Sequence, residues 1–254
     1  MLNITCSNSK KSSRYAFIDY LRGIALLLMF IYHFCFDLDY FNFIQTDFNN
    51  NSWWINFRTV IVSLFLWLVG LSLWLATRKK INLPRYLKRL SLLVIASAIV
   101  SYSSYITFPK SYIFFGILQF ILVASIVGLL FIRLYYSNLI LGLLLIAIGT
   151  SYSHPIFNTS ALQWFGLMTH RPITEDYVPF LPWFGLVLIG IFSAAFIFKE
   201  QGNKWITAQF SRWNDTNTKY QRHISCMGRH SLIIYLIHQP IFMALLYILS
   251  LMLS

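Results

Sequence analysis

The sequence predicts an all-α, polytopic transmembrane bundle of about seven helices with its N-terminus in the cytoplasm. Three observations predict it. Hydrophobic residues make up 57% of the 254 and charged residues only 11%, against roughly 25% charged in an ordinary soluble domain. The apolar residues gather into runs close to the ~20 that a helix needs to cross the bilayer core. The lysines and arginines fall almost entirely on one set of alternating loops.

Seven runs are expected to span: 17–36, 60–76, 90–108, 112–132, 139–152, 178–198 and 231–253. The first is long, and His33-Phe34-Cys35-Phe36-Asp37 follows it rather than a small-x-small cleavage site. It is therefore expected to stay as a signal anchor. The fifth is short and bordered by Ser and Tyr. The sixth carries Pro179 and Pro182, so its first turns are expected to be irregular. The chain reads as one membrane-embedded domain over 1–254, with a polar cytoplasmic arm at 1–14, an external loop at 153–177 and a basic cytoplasmic segment at 200–230. That segment contains Trp205, Phe210 and Trp213, which suit a helix lying on the membrane surface.

With the N-terminus inside, 17 of the 20 lysines and arginines fall on cytoplasmic segments, leaving Arg58, Lys110 and Arg171 outside. This is a strong positive-inside signal. The same asymmetry accounts for the net charge of +12, which reads as topology and attraction to anionic lipid, not nucleic-acid binding. Cys6, Cys35 and Cys226 form no CxxC zinc pattern and no disulfide framework. The six histidines have no metal-ligand spacing, and no metal is expected.

Ionisable residues are costly inside a membrane helix and usually face the bundle interior. The first span carries Asp19, Arg22, His33 and Asp37. At about 100° per residue all four fall within an arc of about 60°, in a stripe about 27 Å long. Asp19 and Arg22 sit one turn apart at the cytoplasmic end, where an ion pair is the plain structural reading. His33 and Asp37 are i, i+4 in the outer half, a spacing at which a carboxylate can orient an imidazole as a general base. A satisfied buried histidine is the structural alternative. In the last span, Ser231, Tyr235 and His238 share a similar arc, with Gln239 and Pro240 following. Either Pro240 simply kinks this helix, or its polar face forms the second wall of a cavity opposite the first span.

The segment Asp19-Tyr-Leu-Arg22-Gly23 through His33 resembles the opening of the heparan-α-glucosaminide N-acetyltransferase catalytic-domain family, a group of multi-pass membrane acyltransferases. Phe114-Phe115-Gly116-Ile117-Leu118-Gln119, Asp176-Tyr177 to Pro182-Trp183, and Gly228 to Pro240 are similar to its bacterial members. Gln119 stands where many relatives carry histidine. The resemblance implies transfer of an acetyl or longer acyl group from cytosolic acetyl-CoA or another acyl-CoA to a hydroxyl or amine of an extracytoplasmic, sugar-like acceptor. It places Asp19 and Arg22 near the cytoplasmic donor side and His33 near the external acceptor side; with the polar stripes and basic residues, the expected catalytic residues are His33, Asp37, Tyr235 and His238, and the expected donor-binding residues are Asp19, Arg22, Arg89 and Arg229. His33 is expected to act as the base, with Tyr235 and His238 donating to the oxyanion. The expected location is a bacterial inner membrane. The rival reading is a proton-coupled transporter, because a membrane-crossing Asp/His stripe also suits a proton relay.

Overall fold

The computed structural model describes residues 15–48, 50–78, 81–198 and 218–253, and among them it is all-helical. Eight α-helices follow in order: α1 Ala16–Tyr40, α2 Ser52–Thr77, α3 Leu83–Thr107, α4 Ile117–Val127, α5 Ser137–Ser151, α6 Phe180–Phe198, α7 Lys219–Arg229 and α8 Ser231–Leu253. Five of these, α1, α2, α3, α6 and α8, are long and apolar enough to cross a membrane. Two shorter apolar helices, α4 with its 3-10 extension to Phe131 and α5, stand where the other two spans were expected, each shorter than the ~20 residues a crossing helix needs. The surface helix expected around Trp205, Phe210 and Trp213 lies outside the described residues. Among the cysteines Cys35 is a free thiol. Cys226 is disulfide-bonded, so the lack of a disulfide framework in the sequence does not extend to it.

Local chemistry sets the helix ends. Asn82 caps α3 by accepting from the Arg85 N–H at 3.2 Å, with Pro84 in the first turn, where a missing N–H costs nothing. The helix therefore begins several residues before the apolar run and carries Arg85, Lys88 and Arg89 on its first turns. The fourth run, expected from 112, becomes helical only at Ile117. There the Asp176 carboxylate accepts from the Ile117 N–H at 2.8 Å, placing negative charge at a helix N-terminus, where the dipole favours it. Leu181, before Pro182, is extended at φ −101° and ψ 136°. This is the irregular first turn that Pro182 imposes on its neighbour.

The described residues form two compact units divided within α2. The first comprises residues 15–65 and 218–253, hence α1, the first half of α2, α7 and α8. Its core is Leu26, Met29, Tyr32, Phe48 and Ile61. Around Tyr32 the rings of Phe48, Trp54 and Phe57 lie 5.8, 6.0 and 6.3 Å away. The second unit, residues 66–198, packs α5 on α6 and α6 on the end of α2. Gly142 and Gly185 face one another so closely that a Cβ on either would strike the other's carbonyl oxygen. Small residues permit such approach where helices associate by packing, not by hydrophobic exclusion.

Candidate active site

The first unit carries two polar clusters, one at each end of α1. The inner cluster forms where α7 lies against α1. Thr218 and Gln221 start α7 with reciprocal caps: the Thr218 N–H donates to Gln221 Oε1 at 2.8 Å, and the Gln221 N–H donates to Thr218 Oγ1 at 3.4 Å. Contact with α1 is made at glycines. A Cβ on Gly228 would collide with the Asp19 carbonyl, and one on Gly23 with the Ile224 carbonyl. The close approach brings Arg229 to Asp19. Asp19, 3% exposed, accepts from Arg22 Nη1 at 3.0 Å and from Arg229 Nε at 3.3 Å. One carboxylate thus bridges two guanidiniums, and the Arg229 side chain stays 41% exposed.

The outer cluster joins α1 to α8. Asp37 is 1% exposed, and its Oδ1 accepts from Gln239 Nε2 at 2.7 Å. The hydrogen bond from His33 to Asp37 that the i, i+4 spacing invites is not formed among the described residues. His33 turns instead toward His238, the ring centroids 5.1 Å apart. His238 is 6% exposed and enclosed by rings, with Phe30 stacked at 5.5 Å, Tyr235 at 5.4 Å and Phe242 edge-on at 5.9 Å. His238 Nδ1 meets the Tyr235 carbonyl.

That last contact decides a tautomer. A carbonyl oxygen only accepts, so Nδ1 carries the proton, and in the neutral ring Nε2 keeps its lone pair. Nε2 is buried without a hydrogen-bond partner, as are Asp37 Oδ2 and Gln239 Oε1. Unsatisfied polar atoms are rare in folded proteins, because each costs roughly 1–3 kcal/mol. Two of these acceptors belong to the Asp37–Gln239 pair that joins α1 to α8, and the third is on the His238 ring beside His33, where a donor O–H or N–H would satisfy it.

The structure brings His33, Tyr235 and His238 together, and it places Asp37 against Gln239 on α8. It also brings Asp19, Arg22 and Arg229 together. Arg89 lies in the second unit, half-buried on α3. Gln239 was missed as a site residue, although its place beside His238 and before Pro240 was visible. Nothing in a single helix's periodicity points it at Asp37 on another. Gln119 donates to Ser101 Oγ at 2.7 Å within the second unit, a tie between α3 and α4. Among the described residues, no group of three metal-ligating side chains is found.

The family described as heparan-alpha-glucosaminide N-acetyltransferase, catalytic, matches residues 14–240. No curated protein and no solved structure matches the chain.

Proposed function

The chain belongs to the heparan-alpha-glucosaminide N-acetyltransferase catalytic family, and on that premise we propose that it moves an acetyl or longer acyl group from cytosolic acyl-CoA to a hydroxyl or amine of an extracytoplasmic acceptor. Membership implies a membrane transferase; donor, acceptor and direction are our reading. The observation that carries it is His238, whose Nδ1–H is committed to the Tyr235 carbonyl and whose buried Nε2 has no partner.

The chemistry follows from that tautomer. The acceptor O–H or N–H donates to His238 Nε2, which takes the proton as the nucleophile attacks the thioester carbonyl. The tetrahedral oxyanion collapses, the C–S bond breaks, and the thiolate takes a proton from the imidazolium. This assignment revises the roles implied by the resemblance. A neutral His238 with Nδ1 occupied has no second N–H to offer an oxyanion. His33 and Tyr235 are the groups left for that task, while Asp37 and Gln239 orient the acceptor. At the cytoplasmic end, Arg22 and the partly exposed Arg229, both held by Asp19, meet the donor's phosphates. The proposed membrane is the cytoplasmic membrane of a bacterium.

The test is release of free CoA thiol from acetyl-CoA by the purified chain with membrane extract as acceptor. Wild type should release thiol, and His238→Gln should lose it by about 10²–10⁴-fold at an unchanged melting temperature. Full activity in His238→Gln would sink the assignment. Solute flux in proteoliposomes lacking acyl-CoA, with no thiol release from any thioester, would favour the proton-coupled transporter.

A further inference from the structure

The start of α3 carries a charge that the fold does not answer. Arg85 and Lys88 are exposed, but Arg89 is half-buried. The positive-inside bias accounts for exposed cations on such a loop. It does not account for a guanidinium drawn into the protein, which loses hydration and needs a partner in return.

Among the described residues Arg89 makes no ion pair and no hydrogen bond. Arg78, in the same unit, shows the contrast: it donates to the Phe198 carbonyl at 3.1 Å and lies over the Trp74 ring at 5.5 Å. The described carboxylates of this unit, Glu175 and Asp176, contact Ser111 and Ile117, beyond the far end of α3. That end is marked by Ser104, whose Oγ accepts from the Ile113 N–H at 2.9 Å. From Arg89 to Ser104 is about 22 Å along the helix, too far for either carboxylate to serve as counter-charge.

The neighbour that Arg89 does have is the Tyr86 phenol, one turn earlier. The Tyr86 hydroxyl is already committed, donating to the Ser125 carbonyl on α4 at 2.6 Å. On the same serine, Oγ is fully buried with no hydrogen-bond partner. An unpaired guanidinium and an unpaired hydroxyl thus flank one tyrosine. A guanidinium offers donors only, so what this place lacks is an anion.

The rest of α3 says which anion. At about 100° per residue, Arg89 falls at the border of two faces. Leu93, Ala96 and Ser97 are buried on one side; Leu92, Ile95 and Ile99 are each about half exposed on the other. A charged head at Arg89 would therefore sit at the top of an open apolar stripe. We propose that Arg89 holds the phosphate of an anionic phospholipid, with an acyl chain along Leu92 and Ile99. The guanidinium fork matches two phosphate oxygens, and basic sites beside membrane helices take such headgroups. Choline lipids are disfavoured because they carry their own cation next to the phosphate. The inference is independent of the acyltransferase reading.

The experiment is competition binding to the purified full chain in neutral detergent, with fluorescent phosphatidylglycerol and phosphatidylcholine of the same chains as probes. It is run in about 1 M salt, where a Debye length of about 3 Å removes diffuse surface attraction. Phosphatidylglycerol should bind about tenfold tighter, as one charge-assisted hydrogen bond supplies. Arg89→Gln should remove most of that margin and Arg89→Lys should keep part of it. Arg85→Gln and Lys88→Gln should each leave most of it. Without lipid, Arg89→Gln should melt no lower than wild type, since it removes a half-buried charge that has no partner. Equal binding of the two lipids, or equal loss in all three neutral variants, would leave only diffuse charge and overturn the site. Displacement of phosphatidylglycerol by equal inorganic phosphate or coenzyme A would assign Arg89 to a soluble phosphate and overturn the lipid. A lowered melting temperature in Arg89→Gln with the lipid preference intact would make Arg89 a structural cation and overturn it too.

Discussion

The two ends of α1 solve the same problem in opposite ways. Each places a buried aspartate against a second helix. At the inner end the Asp19 carboxylate is filled by Arg22 and Arg229, and glycines let the backbones touch. At the outer end Asp37 takes one hydrogen bond from Gln239, and its other oxygen, Gln239 Oε1 and His238 Nε2 have none. The first arrangement spends its polar capacity on holding helices together. The second leaves acceptor capacity unspent. A buried polar group that the fold does not satisfy is a cost to stability, and it is retained where a substrate repays it.

Variants can break that contrast. The largest effect should be on rate: His238→Gln should lose about 10²–10⁴-fold of thiol release while its unfolding in detergent stays near wild type. Asp19→Ala should act on stability. It removes the carboxylate that bridges two partly exposed guanidiniums, a loss of about 1–3 kcal/mol. Thermal unfolding of the purified protein would read it. An unchanged melting point for Asp19→Ala would mean the inner cluster is not a clamp.

Smaller effects sharpen the comparison. Gly228→Ala should cost about 1–3 kcal/mol, since a methyl there meets the backbones of Asp19 and Gly23. Gln239→Leu should cost about 1–3 kcal/mol by leaving Asp37 without its donor, and it should lower the rate as well, which Gly228→Ala need not. The smallest shift, about 1 kcal/mol, is expected for Tyr177→Phe, which deletes only the bond to the Gln163 carbonyl. Because the folded Tyr177 pKa is raised, its contribution is full below the unfolded value near 10 and fades as pH climbs toward about 12. A stability difference between wild type and Tyr177→Phe that persists above that range would contradict the assignment.

Much of this was legible in the sequence. Length and apolarity of a run are local, so the runs marked all seven apolar helices, and Pro182 marked the broken turn of α6. Helical angle is local too, so the stripe of Asp19, Arg22, His33 and Asp37 could be drawn on one helix from spacing alone. What spacing along one helix does not contain is the distance to another. That Asp37 would take Gln239, that His33 would turn to His238, and that Arg229 would share Asp19 with Arg22 depended on how closely α7 and α8 approach α1. Glycines Gly23 and Gly228 set that approach, and their meaning appears only when the neighbour's backbone is in place. A cleft of the second unit, between the α3–α4 turn and the α5–α6 loop, was hidden for the same reason. Lys110 and Arg171 are 61 residues apart, and hydrogen bonds between two loops, not any periodic pattern, bring them to one cleft. The sequence alone determined which segments are apolar helices suited to a membrane and which face of the first is polar, because hydrophobicity and helical pitch act over a few residues. Only the tertiary structure decided which polar groups are satisfied and which are left to act, because that depends on contacts between segments far apart in the chain.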